Sequence, residues 1–204
     1  VGRERWAREA AIFLAIREAH HGEPWWSWEP GLRDREPHAL SLAEARYAEG
    51  IERHLARFYF FERQWQEVRA HARDKGVAII GDVPIYVDRD SVDVWSNREQ
   101  FRLDPQGQPD AVAGVPPDFF SKTGQLWGNP LYAWDRMAAD GHRWWVERMR
   151  RALAQVDIVR LDKQADGSTH DAPTAEVGRL KVVKTESKGK GNKRLRVEVV
   201  DADG

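Results

Sequence analysis

The chain has 204 residues, a formal net charge of −1 and no cysteine. A chain of this length is one large domain, or one domain with an appendage, and it can bury a sizeable core. The near-neutral charge excludes a strong overall field toward nucleic acid or membrane, and the lack of cysteine excludes disulfides and thiolate chemistry and suits the cytoplasm. No apolar run approaches the roughly 20 residues of a membrane span.

The first part of the chain is predicted to be mostly helical. Residues 3–20 place apolar side chains at near-helical spacing, which indicates an amphipathic helix. Residues 41–76 predict a long helix that starts at a Ser41 cap and ends at Gly76. Because Gly50 weakens the centre of this segment, two helices are an alternative.

Two short apolar segments predict neighbouring strands of a parallel sheet. Residues 77–82 and 156–162 are rich in β-branched side chains, which is typical of strands buried on both faces. Residues 84–132 between them predict a long loop, and its aromatic content favours a working part over disorder. Residues 134–155 predict one further amphipathic helix, so the order of elements indicates an α/β fold.

Each of the two predicted strands ends in an aspartate, Asp82 and Asp162. In α/β barrels, active sites form at the carboxyl ends of the parallel strands. Two successive strands with an acid at that end therefore indicate a site, although a strand-terminal aspartate more often caps the following helix.

Three motifs in the first three quarters of the chain are distinctive. They are GDVPIYVDRDSVDVW, the loop sequence AGVPPDFFSKTGQLWGNPLY, and VDIVRLD, in this order. Together they resemble the 4-α-glucanotransferases of the amylomaltase (disproportionating enzyme) family, over about residues 8–162. The resemblance implies an α-amylase-like barrel that moves segments of α-1,4-glucans, including maltooligosaccharides, between acceptors with retention of anomeric configuration. It implies no cofactor.

The resemblance also assigns roles to residues at the strand ends. Asp162 matches the family's nucleophile, and Arg160 matches the arginine of the same motif. Because side chains alternate along a strand, these two are expected on one face, where the guanidinium would keep the carboxylate ionised and oriented. Asp82 matches a sugar-binding aspartate. Its alternative role is structural support at the rim of the barrel.

The long loop is expected to cover the donor glucan. Sugars stack their C–H faces on aromatic rings and need amide and carboxylate partners for their hydroxyls. The loop residues with these groups are Asp118, Phe120, Trp127, Asn129 and Tyr132. By resemblance this loop shields the reaction intermediate from water, whereas the plainer alternative is a tryptophan-rich packing loop.

The tail, residues 163–204, departs from the family. The segment KQADGSTH replaces the family's continuation, and no counterpart of the general acid follows. The tail is similar to the C-terminal part of the alanyl-tRNA editing domain, a zinc-dependent hydrolase. Asp166 and His170 are weak candidates for metal ligands there, and a loop feature is the plainer interpretation. Apolar and polar side chains alternate over residues 177–183 and 194–200, which predicts the two strands of a hairpin.

We therefore expect an α/β protein with two parts: a partial (β/α) barrel of the α-amylase-like type over residues 1–162, and a β-hairpin-like tail over residues 163–204. The expected function is 4-α-glucanotransferase, present in an incomplete and inactive form in the cytoplasm, with glucans as partners and no membrane. One alternative is a zinc-dependent editing hydrolase or an RNA-binding fragment that contacts tRNA through the tail. Another is a fusion without function.

Overall fold

The structure is a computed structural model that describes residues 2–117, 119, 122–163, 180–187 and 193–199. Its helices are α1 (Gly2–Ala19), α2 (Pro30–Arg33), α3 (Pro37–Arg46), α4 (Ala48–Asp74), α5 (Val92–Ser96), α6 (Trp134–Ala139) and α7 (Arg143–Gln155). Its strands are β1 (Ile80–Asp82), β2 (Val112–Val115), β3 (Gln125–Pro130), β4 (Ile158–Lys163), β5 (Leu180–Ser187) and β6 (Lys193–Val199). Within the described part of the chain, no helix is long and apolar enough to cross a bilayer.

The predicted helix over residues 41–76 is two helices, α3 and α4. The alternative of two helices is confirmed, but the break lies at Tyr47 rather than Gly50. The predicted Ser41 cap is wrong, because α3 already begins at Pro37, whose fixed φ suits a first helical position. The predicted end is confirmed: α4 ends at Asp74, and Gly76 follows with a φ of 69° that favours glycine.

The single helix predicted over residues 134–155 is also wrong. The chain breaks between α6 and α7, where Gly141 has a φ of 70° and His142 a φ of 55°. The carboxylate of Asp140 accepts a hydrogen bond from the backbone N–H of Arg143 at 3.2 Å. The sequence Asp-Gly thus forms a turn that the amphipathic pattern on either side conceals.

The parallel pairing predicted for the two apolar strands is confirmed. Strand β1 pairs with β4 in parallel, with Ile80 opposite Ile158 and Asp82 opposite Arg160. The strand order of this sheet is β1-β4-β6-β5, so β1 is an edge strand. The expectation that β1 is buried on both faces is wrong, because Ile80 is 62% exposed at this edge.

The tail strands extend the same sheet. Strand β6 runs antiparallel to both β4 and β5, with Leu195 opposite Leu161 of β4. The two tail strands lie close to the segments 177–183 and 194–200 that the alternation indicates.

The predicted loop over residues 84–132 contains regular structure that its irregular sequence does not reveal. Helix α5 begins after Ser91, whose hydroxyl accepts a hydrogen bond from the N–H of Val94 at 3.3 Å. Strands β2 and β3 then pair as an antiparallel hairpin. The segment is therefore a folded insertion between β1 and α6 rather than a continuous loop.

The core lies between α1, α4 and this insertion and is unusually aromatic. Trp25, Trp95 and Phe101 are fully buried, and Phe13 of α1 packs against Trp28 and Trp95. A hydrogen-bond acceptor offsets the cost of burying an indole N–H. That of Trp95 donates to the carbonyl of Leu32 at 3.0 Å, and that of Trp25 to the carbonyl of Arg89 at 2.7 Å.

Asp34, at the end of α2, connects two arginines at the edge of this core. Its carboxylate contacts the guanidinium of Arg33 and that of Arg98, each at 2.7 Å. The hydrogen bond from Arg33, supported by one from Arg98, lowers the pKa of Asp34 to about 2. The ion pairs thus favour the charged form of this carboxyl in the folded chain.

Replacing Asp34 by asparagine is expected to cost about 1 kcal/mol of unfolding free energy at pH 7, since water screens a partly exposed pair. A carboxyl whose pKa is lowered by folding contributes stability above its ordinary value of 3.8, and this stability is lost as the pH falls to about 2. Urea unfolding at pH 7 and pH 2.5 measures the difference. Asp110→Asn, which removes an exposed pair with Arg102, is the control. An equal cost of Asp34→Asn at both pH values would contradict the assignment.

Candidate active site

The parallel pair of β1 and β4 places polar groups of two strands at one end of the sheet. Asp82 ends β1, and its carboxylate forms an ion pair with Arg160, the residue opposite it on β4. The N–H of Val83 donates to the carbonyl of Arg160 at 3.0 Å and continues the pairing by one residue. Both side chains are partly exposed. The contact is therefore an accessible, charge-assisted pair at the carboxyl end of the sheet.

The predicted nucleophile follows on the same strand. Asp162 lies in β4, two residues beyond Arg160, and its backbone is opposite Arg194 of β6. Because β1 and β4 are parallel, Asp82 and Asp162 are at the same end of the sheet. The predicted contact of Arg160 with Asp162 stays a prediction, and one partner that the structure gives to Arg160 is Asp82.

Three side chains fix the segment that follows Asp82. The hydroxyl of Tyr132 donates to the carbonyl of Ile85 at 2.6 Å, and the amide nitrogen of Asn129 donates to that of Val87 at 2.9 Å. Arg148, from α7, donates to the carbonyl of Pro84 at 2.9 Å. Residues 84–87 therefore cannot shift independently of β3 and α7. This contribution of Arg148 was not predicted from the sequence, since a helical arginine gives no local signal of it.

Tyr132 is part of the core and does not form a sugar platform. Its side chain is 4% exposed, and its ring stacks against Tyr86 and contacts Phe101 and Trp145. Burial raises the pKa of its hydroxyl, which suits a neutral donor to a carbonyl. The expectation that Tyr132 contacts a glucan is therefore wrong.

The hairpin of β2 and β3 carries the other predicted binding residues. Trp127 is partly buried, lies 6.1 Å from the ring of Tyr86, and donates its indole N–H to Gln125 at 2.9 Å. Asn129 uses its amide nitrogen for the scaffold contact with Val87, so this atom is occupied. Asp118 and Phe120 lie outside the described residues, and their roles stay predictions.

Glycine lets the hairpin close tightly near these residues. A Cβ atom on Gly124 would lie 2.5 Å from the carbonyl oxygen of Val115, and Gly124 has a φ of 75°. A larger residue would clash with the backbone of β2 and strain its own backbone. The turn that presents Trp127 therefore depends on glycine at this position.

Three further aspartates near β1 are engaged by other groups. Asp90 forms an ion pair with Arg17 at 2.7 Å, and Asp93 lies 3.6 Å from Arg148. The carboxylate of Asp88 accepts a hydrogen bond from the N–H of Asp90 at 2.9 Å. These carboxylates hold α1, α5 and α7 around the segment after β1.

No metal centre is evident in the described part of the chain, where no three His, Asp or Glu side chains gather. The weak candidates His170 and Asp166 lie outside the described residues. The metal-binding role suggested for them stays a prediction.

The molecule is thus an α/β protein with charged groups at the carboxyl end of a parallel strand pair. The family model for 4-alpha-glucanotransferase, glycoside hydrolase family 77, matches residues 2–163. The chain therefore belongs to the 4-alpha-glucanotransferase family.

Curated relatives agree with this assignment. A 4-alpha-glucanotransferase of Synechocystis is 48% identical over 77% of this chain, and one of Thermus thermophilus is 46% identical over 77%. A chloroplastic/amyloplastic 4-alpha-glucanotransferase of Arabidopsis thaliana is 43% identical over 87% of this chain. The chain spans 31% of the length of the Synechocystis and Thermus relatives and 32% of the plant one.

A solved structure supports the same fold. The amylomaltase of Streptococcus agalactiae in complex with acarbose matches with a TM-score of 0.75 and 42% identity, over 78% of this chain and 32% of that one. The part of the chain that this comparison covers therefore has the fold of a portion of amylomaltase. The comparisons give no support to the alternative of a tRNA-editing or RNA-binding function.

Proposed function

We propose that this chain is the part of a 4-α-glucanotransferase that carries the nucleophile and the donor-binding loop. The observation that carries the proposal is the Asp82–Arg160 ion pair across β1 and β4, with Asp162 two residues further along β4, where alternation predicts the same face. Retaining glycosyl transfer needs one carboxylate as nucleophile and a second carboxyl group as acid. In this proposal Asp162 is the nucleophile.

The proposed role of Arg160 is to organise charge at the end of the sheet. Its guanidinium contacts Asp82 on one strand and is two residues from Asp162 on its own strand. A guanidinium has several donors in a fixed plane and can serve two carboxylates. It would orient both carboxylates, that of Asp162 for the reaction and that of Asp82 for the hydroxyls of a bound glucose unit.

The proposed role of the insertion is to hold the donor glucan. Residues 84–87 are fixed by three hydrogen bonds, and the hairpin presents Trp127 beside them. An indole face is a suitable platform for a sugar ring, and Asp118, Phe120 and Asn129 are proposed as its neighbours in the complex. The partners proposed for the chain are α-1,4-glucans and maltooligosaccharides, and its proposed compartment is the cytoplasm.

Binding of acarbose, which the streptococcal relative holds in its solved complex, tests this proposal. Titration calorimetry of the chain with acarbose and with maltoheptaose is expected to show binding. Trp127→Ala is expected to weaken it roughly tenfold, because an aromatic contact contributes on the order of 1 kcal/mol. Leu126→Ala is the matched control, since Leu126 is the neighbouring residue of β3 and is 80% exposed.

Two outcomes would contradict the proposal. The first is the absence of binding by the unmodified chain to either sugar. The second is equal affinity of the Trp127→Ala and Leu126→Ala variants, which would remove the hairpin from the binding site.

A further inference from the structure

We propose that Asp157, held by Arg69, sets the register of β1 against β4 and is thereby the positioning residue for the Asp82–Arg160 pair. Asp157 lies immediately before β4, and Arg69 lies on α4. The functional value of this role rests on the function proposed above. The structural role does not, and it is tested separately.

The carboxylate of Asp157 forms the first connection between the two strands. Its Oδ2 accepts a hydrogen bond from the backbone N–H of Ile79 at 2.9 Å. In return, the carbonyl of Ile79 accepts the N–H of Asp157 at 3.0 Å and that of Ile158 at 3.1 Å. Both backbone polar groups of Ile79 are therefore bound to the start of β4, one of them through a side chain.

Arg69 fixes this carboxylate from the side of the helix. Its Nη2 contacts Oδ1 of Asp157 at 3.0 Å, and its Nη1 donates to the carbonyl of Ala154 at 2.6 Å. One turn earlier on α4, the indole of Trp65 donates to the carbonyl of Gln155 at 2.6 Å. The side chain of Arg69 is 12% exposed and that of Asp157 is 34% exposed, so the guanidinium is largely buried and the carboxylate is partly open to water. Helix α4 therefore holds the end of α7 and the start of β4 as one unit.

The spacing of the residues explains why this contact decides the register. Ile79 is three residues before Asp82, and Asp157 is three residues before Arg160. A connection at the first pair therefore places the second pair opposite each other. Strand β1 has three residues, so few ladder hydrogen bonds resist a shift. A shift by one residue would place Gly81 opposite Arg160 and turn Asp82 to the other face of the sheet.

The contacts of Asp157 with Ile79 and Arg69 are called the clamp below. The charge of Asp157 agrees with the geometry of this clamp. The hydrogen bond from the N–H of Ile79, followed by that from Arg69, lowers the pKa of Asp157. The ionised form is thus the one that holds both partners. An ordinary surface ion pair between α4 and a loop would not include the backbone N–H of a strand residue. The backbone hydrogen bonds between β1 and β4 would then be the only contacts that set the register.

Hydrogen exchange and NMR of the whole chain test the proposal. In Asp157→Ala, the N–H groups of Ile79 and Val83 are expected to exchange roughly tenfold faster or more, and the cross-strand contact between Gly81 and Val159 is expected to weaken. Asp157→Asn keeps an acceptor for Ile79 but loses the carboxylate oxygen that binds Arg69, and it is expected to restore the protection only in part. Asp110→Ala, which removes an exposed ion pair elsewhere, is the matched control and is expected to leave these amides unchanged.

The outcomes of these experiments distinguish a failure of the clamp at Asp157 from a failure of the proposed function. Unchanged protection of Val83 and an unchanged Gly81–Val159 contact in Asp157→Ala would overturn the clamp. Should that variant fail to fold, Arg69→Gln takes its place, and normal exchange of Ile79 in this variant would equally overturn the role of Arg69. Loss of register with unchanged acarbose affinity would leave the clamp standing and contradict the functional role of the Asp82–Arg160 pair.

Discussion

Replacing Gly107 by alanine is expected to lower the unfolding free energy by about 3 kcal/mol. An added Cβ atom would lie 2.3 Å from Cη2 and 2.7 Å from Cζ3 of Trp25. That indole is fully buried and donates to the carbonyl of Arg89 at 2.7 Å, so it has no room to move aside. Gly107 also has a φ of 78°. Overpacking costs about 1–3 kcal/mol, and a left-handed backbone costs a further ~1–2 kcal/mol for a residue with a Cβ.

Gly22→Ala is the matched control for this prediction. Gly22 has a φ of 82°, and no atom lies within 4 Å of the place that an added Cβ would take, so the substitution is expected to cost the backbone term alone, about 1 kcal/mol. Urea unfolding of both variants, followed by tryptophan fluorescence, measures the difference. An equal loss of unfolding free energy in the two variants would contradict the prediction. It would show that the segment around Gly107 can move away from Trp25 and that the core around α1 is less rigid than its packing indicates.

The local sequence pattern was sufficient to predict those helices and strands whose burial depends mainly on their own residues. The two apolar strands were predicted within a few residues, and their parallel pairing was predicted from their continuous apolar and β-branched sequences. Helix α4 ends at Asp74, and the helix stop was correctly predicted at Gly76, because a residue without Cβ readily adopts the positive φ found there. Strand β1 was misjudged in burial because exposure depends on neighbouring strands, which a local pattern does not specify.

Long-range contacts limited the prediction of the candidate site. The strand ends Asp82 and Asp162 could be assigned to one end of the sheet because parallel pairing brings the carboxyl ends of strands together, but the contact of Arg160 with Asp82 was not predicted. Tyr132 and Trp127 have equivalent signals in the sequence, since each is an aromatic residue in an irregular segment. One is in the core and the other is on a hairpin because of residues far away, such as Phe101 and Trp145. The clamp of Asp157 likewise requires α4 to approach β4, which no local motif indicates.

The contacts of Asp88, Asp90 and Asp93 make these three carboxyl groups unsuited to act as the acid in glycosyl transfer. A retaining enzyme places its second carboxyl group about 5–5.5 Å from the nucleophile. Asp90 and Asp93 are in ion pairs with arginines, and Asp88 binds the backbone of its own turn. These ion pairs and this hydrogen bond stabilise the structure around β1. The sequence has no second carboxylate in the motif context of the family's general acid.

The chain by itself is therefore expected to show no appreciable disproportionation of maltotriose. Without an acid, the leaving sugar would depart as an alkoxide, and general acid–base catalysis contributes roughly 10²–10⁴-fold. Binding needs no proton transfer, so the acarbose affinity proposed above is compatible with this result.

The purified chain is incubated with maltotriose, and glucose and longer oligomers are quantified against the Thermus thermophilus relative as positive control. Turnover by this chain that disappears in Asp162→Asn would contradict the prediction, because it would require an acid within these 204 residues. Asp88→Asn, Asp90→Asn and Asp93→Asn would then identify which of the three engaged carboxylates leaves its partner to supply the proton.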